Sequence, residues 1–254
     1  MSQPKENYSA KLRAKSMVYF VICIILTLIC LVPIYILIIN ATRKHVDIIS
    51  SVSFIPGSNL AANVKKLLND PMFQFDPFIG FKNSAIIAVG STVLSVFFSA
   101  LTAYGLVVYD FKLRGPAYTF ILVVMMVPMQ VTSVGFLQFM IKLGLSDSFI
   151  PLIVPTIAAP AIVFFMRQYL KSSFPLDIVE AARIDGCGEF RTFLTIAIPM
   201  MKPAIAVQAI FAFIQNWNNF YQPSMILVSR KFEQITMPMI CLLYTSPSPR
   251  DRSL

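Results

Sequence analysis

Residues 180–203 read EAARIDGCGEFRTFLTIAIPMMKP and separate two strongly apolar segments, Pro151–Met166 and Ala204–Phe220. The run LDIVEAARID that leads into this stretch contains no helix breaker and carries its acidic residues early. It is followed by Gly186, a residue suited to the left-handed stop of a helix. The pattern predicts a short helix that ends at this glycine.

A second helix is predicted after the glycine turn, because apolar residues recur at i, i+3, i+4 and i+7 until Pro199 ends it. These residues are Phe190, Phe193, Leu194 and Ala197. In the first helix Ile178, Ala181 and Ala182 share one face, and the two alanines leave it shallow enough for close approach. We interpret the pair of helices as a docking surface for another protein. The alternative is an amphipathic helix lying on the membrane surface.

The composition is that of a membrane protein. Of the 254 residues 57% are hydrophobic and only 13% are charged, whereas soluble domains carry about 25% charged residues. The mean hydropathy is +0.72. The formal net charge of +9 does not indicate nucleic-acid binding, because the basic residues lie in loops beside apolar runs, as orientation signals and lipid contacts require.

The apolar runs predict an all-α polytopic membrane protein with five transmembrane helices. The predicted spans are 17–39, 83–108, 117–141, 151–169 and 203–222. Pro33 is expected to kink the first span and Pro128 to interrupt the third. The basic tail 1–16 places the N-terminus in the cytoplasm, and the alternation of spans then places loop 170–202 there too.

The sequence lacks the residues that several classes of protein function require. The uncharged cores of the spans contain no Asp, Glu, Lys, Arg or His, which argues against an ion-coupled carrier or channel. The sequence has no P-loop, no G-x-S-x-G and no H-E-x-x-H. The single histidine, His45, and four cysteines without paired spacing indicate no catalytic, metal or cofactor site. We therefore expect a transport subunit powered from outside the chain, and not an enzyme.

Two polar clusters are candidates for a translocation pathway, because uncharged hydrogen-bonding groups beside aromatic rings suit a neutral polyol. The first lies near Pro128, where a broken helix can line a cavity. The clusters are Gln130, Thr132, Ser133 and Gln138, and Gln215, Asn216, Trp217, Asn218 and Asn219. The alternative for the second cluster is a helix end with an interfacial aromatic belt.

The motif Glu180-Ala181-Ala182, with Gly186 four residues on and Ile198-Pro199 further down, resembles the EAA loop of ABC-importer permeases. The resemblance runs from about residue 17 to 239 and is closest to the carbohydrate (maltose-type) branch. The motifs of that branch are Asn83-Ser84, Ala103-Tyr104-Gly105, Leu143-Gly144-Leu145 and Asn216-Trp217-Asn218-Asn219-Phe220. The sequence departs from the pattern at Cys187 and Gly188, and at Asn219, where the family commonly has an acidic residue.

The resemblance implies a permease that moves a sugar or related polyol across the bacterial inner membrane by alternating access. Another small polar solute, or a secondary carrier, is the alternative. The implied partners are an ATP-binding subunit dimer, a second and different permease chain, an external solute-binding protein and membrane lipid. The implied ATPase-coupling residues are Glu180, Ala181, Ala182, Arg183, Asp185, Gly186 and Pro199. Glu180 is placed to pair with a basic group of the partner or with Arg183.

The permease domain is expected to cover residues 17–240, with a sixth span missing from its end. Residues 241–254, CLLYTSPSPRDRSL, look like translated read-through of a sequencing adapter. We therefore expect a non-native tail there. The alternative is a disordered Ser/Pro tail.

Overall fold

The structure, a computed structural model, describes residues 4–68, 77–227, 229 and 232–245. All regular elements in these ranges are helical. The α-helices are α1 Pro4–Ala41, α2 His45–Ser50, α3 Leu60–Leu68, α4 Pro77–Val108, α5 Arg114–Met125, α6 Met129–Lys142, α7 Ile150–Ile153, α8 Pro160–Ser173, α9 Asp177–Ile184, α10 Glu189–Thr192, α11 Ile198–Met200, α12 Lys202–Trp217, α13 Tyr221–Ile226 and α14 Met237–Thr245. The 3-10 helices are Val154–Ile157 and Phe232–Gln234, and Phe193–Ala197 is a π-helix.

Three helical segments are long and apolar enough to cross a membrane: Lys15–Ala41, Pro77–Val108 and Ile150–Ser173. Two bent pairs raise the number to five if each pair is one span. The first pair is α5 with α6, bent by 95°, and the second is Glu189–Met200 with α12, bent by 80°. The predicted all-α polytopic class is confirmed.

Prolines mark the breaks in these spans. The predicted interruption at Pro128 is confirmed, since this residue is extended (ψ 129°) between α5 and α6. The second loop helix was predicted to end at Pro199; in the structure it ends one residue later, at Met200, before the 80° bend into α12. Pro199 starts a new turn after the π-helix, where its missing N–H removes no required hydrogen bond. The first span remains one helix through Pro33.

The chain divides into two compact units, residues 1–75 and 76–254. In the first unit almost all side chains of the span Lys15–Ala41 are exposed, as contact with lipid requires. Just beyond this span Arg43 is only 8% exposed. Its guanidinium donates to the carbonyl oxygens of Asp47, at 2.6 Å, and Ser51, at 2.9 Å. This cation therefore organises the turn after the helix instead of facing solvent.

In the second unit α4 is the central helix, and it packs against α7, α8, α12 and the 3-10 helix at Val154–Ile157. Its buried face carries small polar residues at four-residue intervals, Ser91, Ser95 and Ser99, which let helices approach closely. The hydroxyl of Ser91 donates to the carbonyl of Leu152, at 3.1 Å. Such bonds satisfy carbonyl groups that the interrupted fourth span leaves without helical partners.

The core of the second unit lies at the end of α4 that faces the loop. Tyr104 is buried there, with its ring centroid 5.3 Å from that of Phe193 and 6.2 Å from that of Phe174. Met166 and Met201 are fully buried in the same cluster. This aromatic and aliphatic cluster fixes loop 170–202 against the bundle.

Candidate functional site

The first helix of loop 170–202, called the coupling loop below, ends as the sequence predicts. Gly186 has a φ of +75°, a conformation that glycine adopts without steric cost. The amide of Cys187 donates to the carbonyl of Ala182, at 2.9 Å, and the amide of Gly186 to that of Arg183, at 3.0 Å. These two bonds are the Schellman pattern of a helix end, so the predicted glycine stop is confirmed.

The exposed face of α9 differs from the predicted one. Val179 and Ala182 are buried against the chain's own core, at 1% and 7% exposure, whereas Ala181 is exposed and Ile184 is 87% exposed. The predicted face of Ile178, Ala181 and Ala182 is therefore divided between core and surface. The helix is rotated so that Val179 and Ala182 pack on the core, and the larger Ile178 and Ile184 are left exposed.

The second loop helix shows a similar difference. Phe193 and Ala197 are buried, but Phe190 and Leu194 are 59% and 41% exposed. Phe193 and Ala197 face inward together with Thr192, so the buried face is rotated from the predicted one and Phe190 and Leu194 lie outside it. The two exposed residues join Ile184 in an apolar surface on the coupling loop.

A cluster of three polar side chains ties the two halves of the coupling loop to α4. Arg183 donates to both carboxylate oxygens of Glu189, at 2.7 and 3.2 Å. The hydroxyl of Tyr109, just after α4, donates to the same carboxylate at 2.6 Å. The predicted alternative of a pair between Arg183 and Glu180 is wrong, because Glu189 occupies the guanidinium fork. Within the described residues Glu180 is exposed and makes no ion pair.

The cluster shifts the protonation equilibria of its members. Burial and the hydrogen bond to Glu189 raise the pKa of Tyr109 to about 12. The hydrogen bond to the same carboxylate also raises the pKa of Arg183. Tyr109 and Glu189 were not predicted as site residues. The sequence signal that could have identified Glu189 is its position: it is an acidic residue at the start of a helix, six residues after Arg183.

Two adjoining cavities bring the two predicted polar clusters together. The amide cavity, of about 300 Å³, is lined by Gln215, Asn216 and Asn219, and also by Ser95 and Thr156. The hydroxyl cavity, of about 270 Å³, is lined by Thr132 and Ser133. Three residues line both cavities, which makes the cavities neighbours; they are Met129, Pro155 and Gln222.

The remaining predicted pathway residues lie elsewhere. Gln130 and Gln138 are exposed and line neither cavity. Trp217 and Asn218 line a third, more open space with Phe81 and Phe220. Ser95, Thr156 and Gln222 were not predicted. Nothing in their sequence context separates them from other small or polar residues of a span.

Hydrogen bonds orient the cavity side chains. Asn216 donates to the carbonyl of Ala212 at 2.8 Å, and Asn219 donates to the side-chain oxygen of Gln222 at 2.8 Å. The hydroxyls of Ser133 and Tyr221 are 2.8 Å apart, which joins α6 to α13 beside the hydroxyl cavity. The arrangement supplies fixed donors and acceptors to a polar solute and no group for covalent chemistry.

Comparison with known proteins agrees with this architecture. Residues 95–241 match the family described as "Binding-protein-dependent transport system inner membrane component". The chain is 36% identical, over 84% of its length and 75% of the relative's, to the arabinooligosaccharides transport system permease protein AraQ of Bacillus subtilis (strain 168). It is 34% identical to the lactose transport system permease protein LacG of Rhizobium radiobacter, over 69% of this chain and 64% of that one.

Two further matches extend the comparison. The sn-glycerol-3-phosphate transport system permease protein UgpE of Pectobacterium atrosepticum is 30% identical over 82% of this chain and 74% of its own. A chain from the crystal structure of a bacterial ABC transporter involved in the import of the acidic polysaccharide alginate shares the fold. Its TM-score is 0.75 at 22% identity, covering 95% of this chain and 84% of that one. This chain belongs to the family of inner-membrane components of binding-protein-dependent transport systems, and it is a transport subunit, not an enzyme.

Proposed function

We propose that this chain is the permease subunit of an ATP-driven importer that carries a neutral sugar or related polyol by alternating access. The observation that carries the proposal is the pair of adjoining cavities. Their polar lining consists of hydroxyl and amide groups, such as those of Ser133 and Asn216. Such groups match the hydroxyls of a carbohydrate as both donors and acceptors.

The lining also bears on the charge of the solute. None of the described residues that line the two cavities is Asp, Glu, Lys, Arg or His. Phosphate and carboxylate groups are bound in proteins by charge-assisted hydrogen bonds, most often from arginine. The cavities therefore favour a neutral solute, like those in the names of the arabinooligosaccharide and lactose permeases, over a glycerol phosphate.

Energy enters through the coupling loop, which we assign as the docking site of a separate ATP-binding subunit dimer. The exposed apolar surface of Ile184, Phe190 and Leu194 fits a cleft on a partner protein, and Glu180 has no ion-pair partner in the described chain. The remaining coupling residues do not contact the partner but hold the loop in its conformation. Ala182 allows close packing on the core, Arg183 holds the second helix, and Gly186 and Pro199 set the path of the backbone.

Motion of the loop is transmitted directly to the cavities. The coupling loop continues into α12, at an angle of 80°, and the far end of α12 carries Gln215 and Asn216. Tyr109 connects the same loop to α4, which carries Ser95. A partner that binds one loop position more tightly than another thus shifts the population of cavity conformations.

The orientation and the remaining partners belong to the same proposal. The N-terminus and the coupling loop lie in the cytoplasm, a second and different permease chain completes the pathway, and an external solute-binding protein delivers the solute.

Orientation is tested with a chain in which Cys187 is the single cysteine. An impermeant thiol reagent should label it in inside-out vesicles only. Labelling from the outside of intact cells would contradict the assignment of the loop.

The transport function is tested in proteoliposomes that contain the complete complex. Radiolabelled oligosaccharide should accumulate when ATP is supplied on the side of the coupling loop, and the solute-binding protein should stimulate hydrolysis. A proton or sodium ionophore should not abolish the accumulation. Uptake driven by an ion gradient without ATP would identify a secondary carrier instead.

A further inference from the structure

Arg167 lies in the candidate span Ile150–Ser173 and has no anionic partner among the described residues. Its guanidinium carbon lies 3.6 Å from the ring centroid of Tyr118 on α5. Its Nε is buried and makes no hydrogen bond. Charged groups within membrane spans almost always pair with an opposite charge or a carbonyl. No described residue supplies such a partner to Arg167.

Two more cations occupy the same region. Lys171 follows Arg167 by one turn of α8, and Arg114 precedes Tyr118 by one turn of α5. The start of α5 and the end of α8 lie at the same end of the unit, because Tyr109 and Phe174, close to these two ends, both contact the ring of Tyr104. The two helices also pack against each other.

We call the surface formed by Arg114, Tyr118, Arg167 and Lys171 the cation groove. Among the described residues these three cations make one ion pair, between Arg114 and the fully exposed carboxylate of Asp110, at 3.8 Å. An exposed pair at this distance neutralises little charge. Neither α5 nor α8 contains an acidic residue. The groove is thus positively charged and open to an anion.

The surroundings of the groove identify the class of anion. Apolar side chains that are exposed or half-buried continue the same helix faces away from the cations; they are Phe164 on α8, at 37% exposure, and Ile121 and Leu122 on α5. Arg167 is six residues from the end of α8, about 9 Å along the axis. With the end of α8 placed at the membrane surface, Arg167 lies where headgroups meet acyl chains. A ligand with a phosphate group and long hydrocarbon chains matches both the cations and the apolar side chains beyond them.

We propose that the cation groove binds the headgroup of an anionic phospholipid, with the terminal N–H groups of Arg167 on the phosphate and the acyl chains along Phe164 and Leu122. Basic pockets between transmembrane helices are suited to such headgroups. The stacked ring of Tyr118 holds the guanidinium flat and leaves its terminal N–H groups for the phosphate. The proposal does not depend on the solute or on the ATPase.

Native mass spectrometry of the detergent-purified complete complex tests this site. After mild delipidation and titration with phosphatidylglycerol, the wild-type complex should retain one tightly bound lipid per copy of this chain. Arg167→Gln should weaken that retention roughly fivefold, the effect of one basic residue near an anionic surface. Lys142→Gln, a change of the same kind at the end of α6, is the matched control and should retain the lipid as the wild type does.

Further variants separate binding from folding. Tyr118→Leu removes the ring under the guanidinium and should weaken retention, whereas Tyr118→Phe keeps the ring and should not. Equal retention of phosphatidylglycerol and phosphatidylcholine would contradict the proposal, as would unchanged retention in both Arg167→Gln and Tyr118→Leu. Displacement of the lipid by glycerophosphoglycerol, which has no acyl chains, at comparable concentration would assign the groove to a soluble phosphate instead. Loss of a protein subunit from Arg167→Gln with lipid retention intact would assign it to a protein contact.

Discussion

The loop end and the cavity end of the second unit are built in opposite ways. At the loop end, Tyr104 and Phe193 are almost fully buried and Arg183 and Glu189 form a two-point ion pair. At the cavity end, spans are interrupted at Pro128 and at Pro155, and empty volume separates the helices. Dense packing transmits displacement, whereas broken helices permit rearrangement. The difference indicates that the coupling loop and its packed core move as one rigid body, which we call the lever, and that the helices around the cavities can rearrange.

The largest effect is expected from Gly186→Val, which breaks the lever. A valine at a φ of +75° costs roughly 1–2 kcal/mol of backbone strain, although its Cβ would meet no atom within 4 Å. We expect the loop to leave its position and solute-stimulated ATP hydrolysis to fall to the basal rate. The chain should still insert into the membrane, as measured by its yield in washed membranes.

Gly188→Ala is the matched control for this change. Gly188 has a φ of −67° and also has open space around its Cβ position. Stimulated ATP hydrolysis should therefore stay near the wild-type value in this variant. Full stimulation in Gly186→Val would show that the left-handed turn does not position the docking surface.

Glu189→Gln should uncouple the complex partially. The substitution removes the charge that holds Arg183 and Tyr109 together. Because the side chains of Arg183 and Glu189 are both exposed, solvent screens this charge and the loss is partial. We expect ATP hydrolysis stimulated by the solute-binding protein to fall severalfold while the KM for the solute is unchanged. A changed KM with normal stimulation would place Glu189 in the pathway and not in the lever.

Gln215→Leu changes the cavity end of the second unit and should weaken binding and uptake of the solute. Removing one hydrogen bond to a neutral solute costs about 1 kcal/mol, so uptake kcat/KM should fall about fivefold to tenfold with basal hydrolysis unchanged. Gln138→Leu is the control, because Gln138 lines neither cavity. Equal losses in both variants would remove the distinction between cavity and surface amides.

The smallest effect concerns the titration of Tyr109. Its pKa is raised to about 12, so its contribution to stability is complete below pH 10, the ordinary value for tyrosine, and is lost as the pH rises through 12. The absorbance at 295 nm should show one late-titrating phenol fewer in Tyr109→Phe than in the wild-type chain. An unchanged number of late-titrating phenols in the variant would contradict the assignment.

The features that the sequence predicted are those set by single residues or by composition. The uncharged runs predict the spans because the hydrocarbon core excludes charge, and Gly186 predicts the helix stop because other residues avoid positive φ. The contact between Tyr109 and Glu189 joins residues 80 positions apart, and no local pattern encodes it. The outward faces of α9 and of the second loop helix were misassigned because contacts with the rest of the bundle decide which apolar residues are buried, Val179 in the first and Phe193 in the second, and local spacing does not encode these contacts. The predicted tail boundary at residue 241 lies within α14, and residues 246–254 lie outside the described ranges.

The thin partition between the amide and hydroxyl cavities has a mechanical consequence. Met129 and Gln222 both form part of it, and both are unbranched side chains with several rotatable bonds. Pro155, the third shared residue, stays in place, so turning these two side chains aside, with loss of the bond between Asn219 and Gln222, would widen the connection between the two cavities while every helix axis stays still. A solute would then advance by one chamber on the timescale of rotamer exchange, and the slower rocking of the bundle would be needed only to open the route at either side of the membrane.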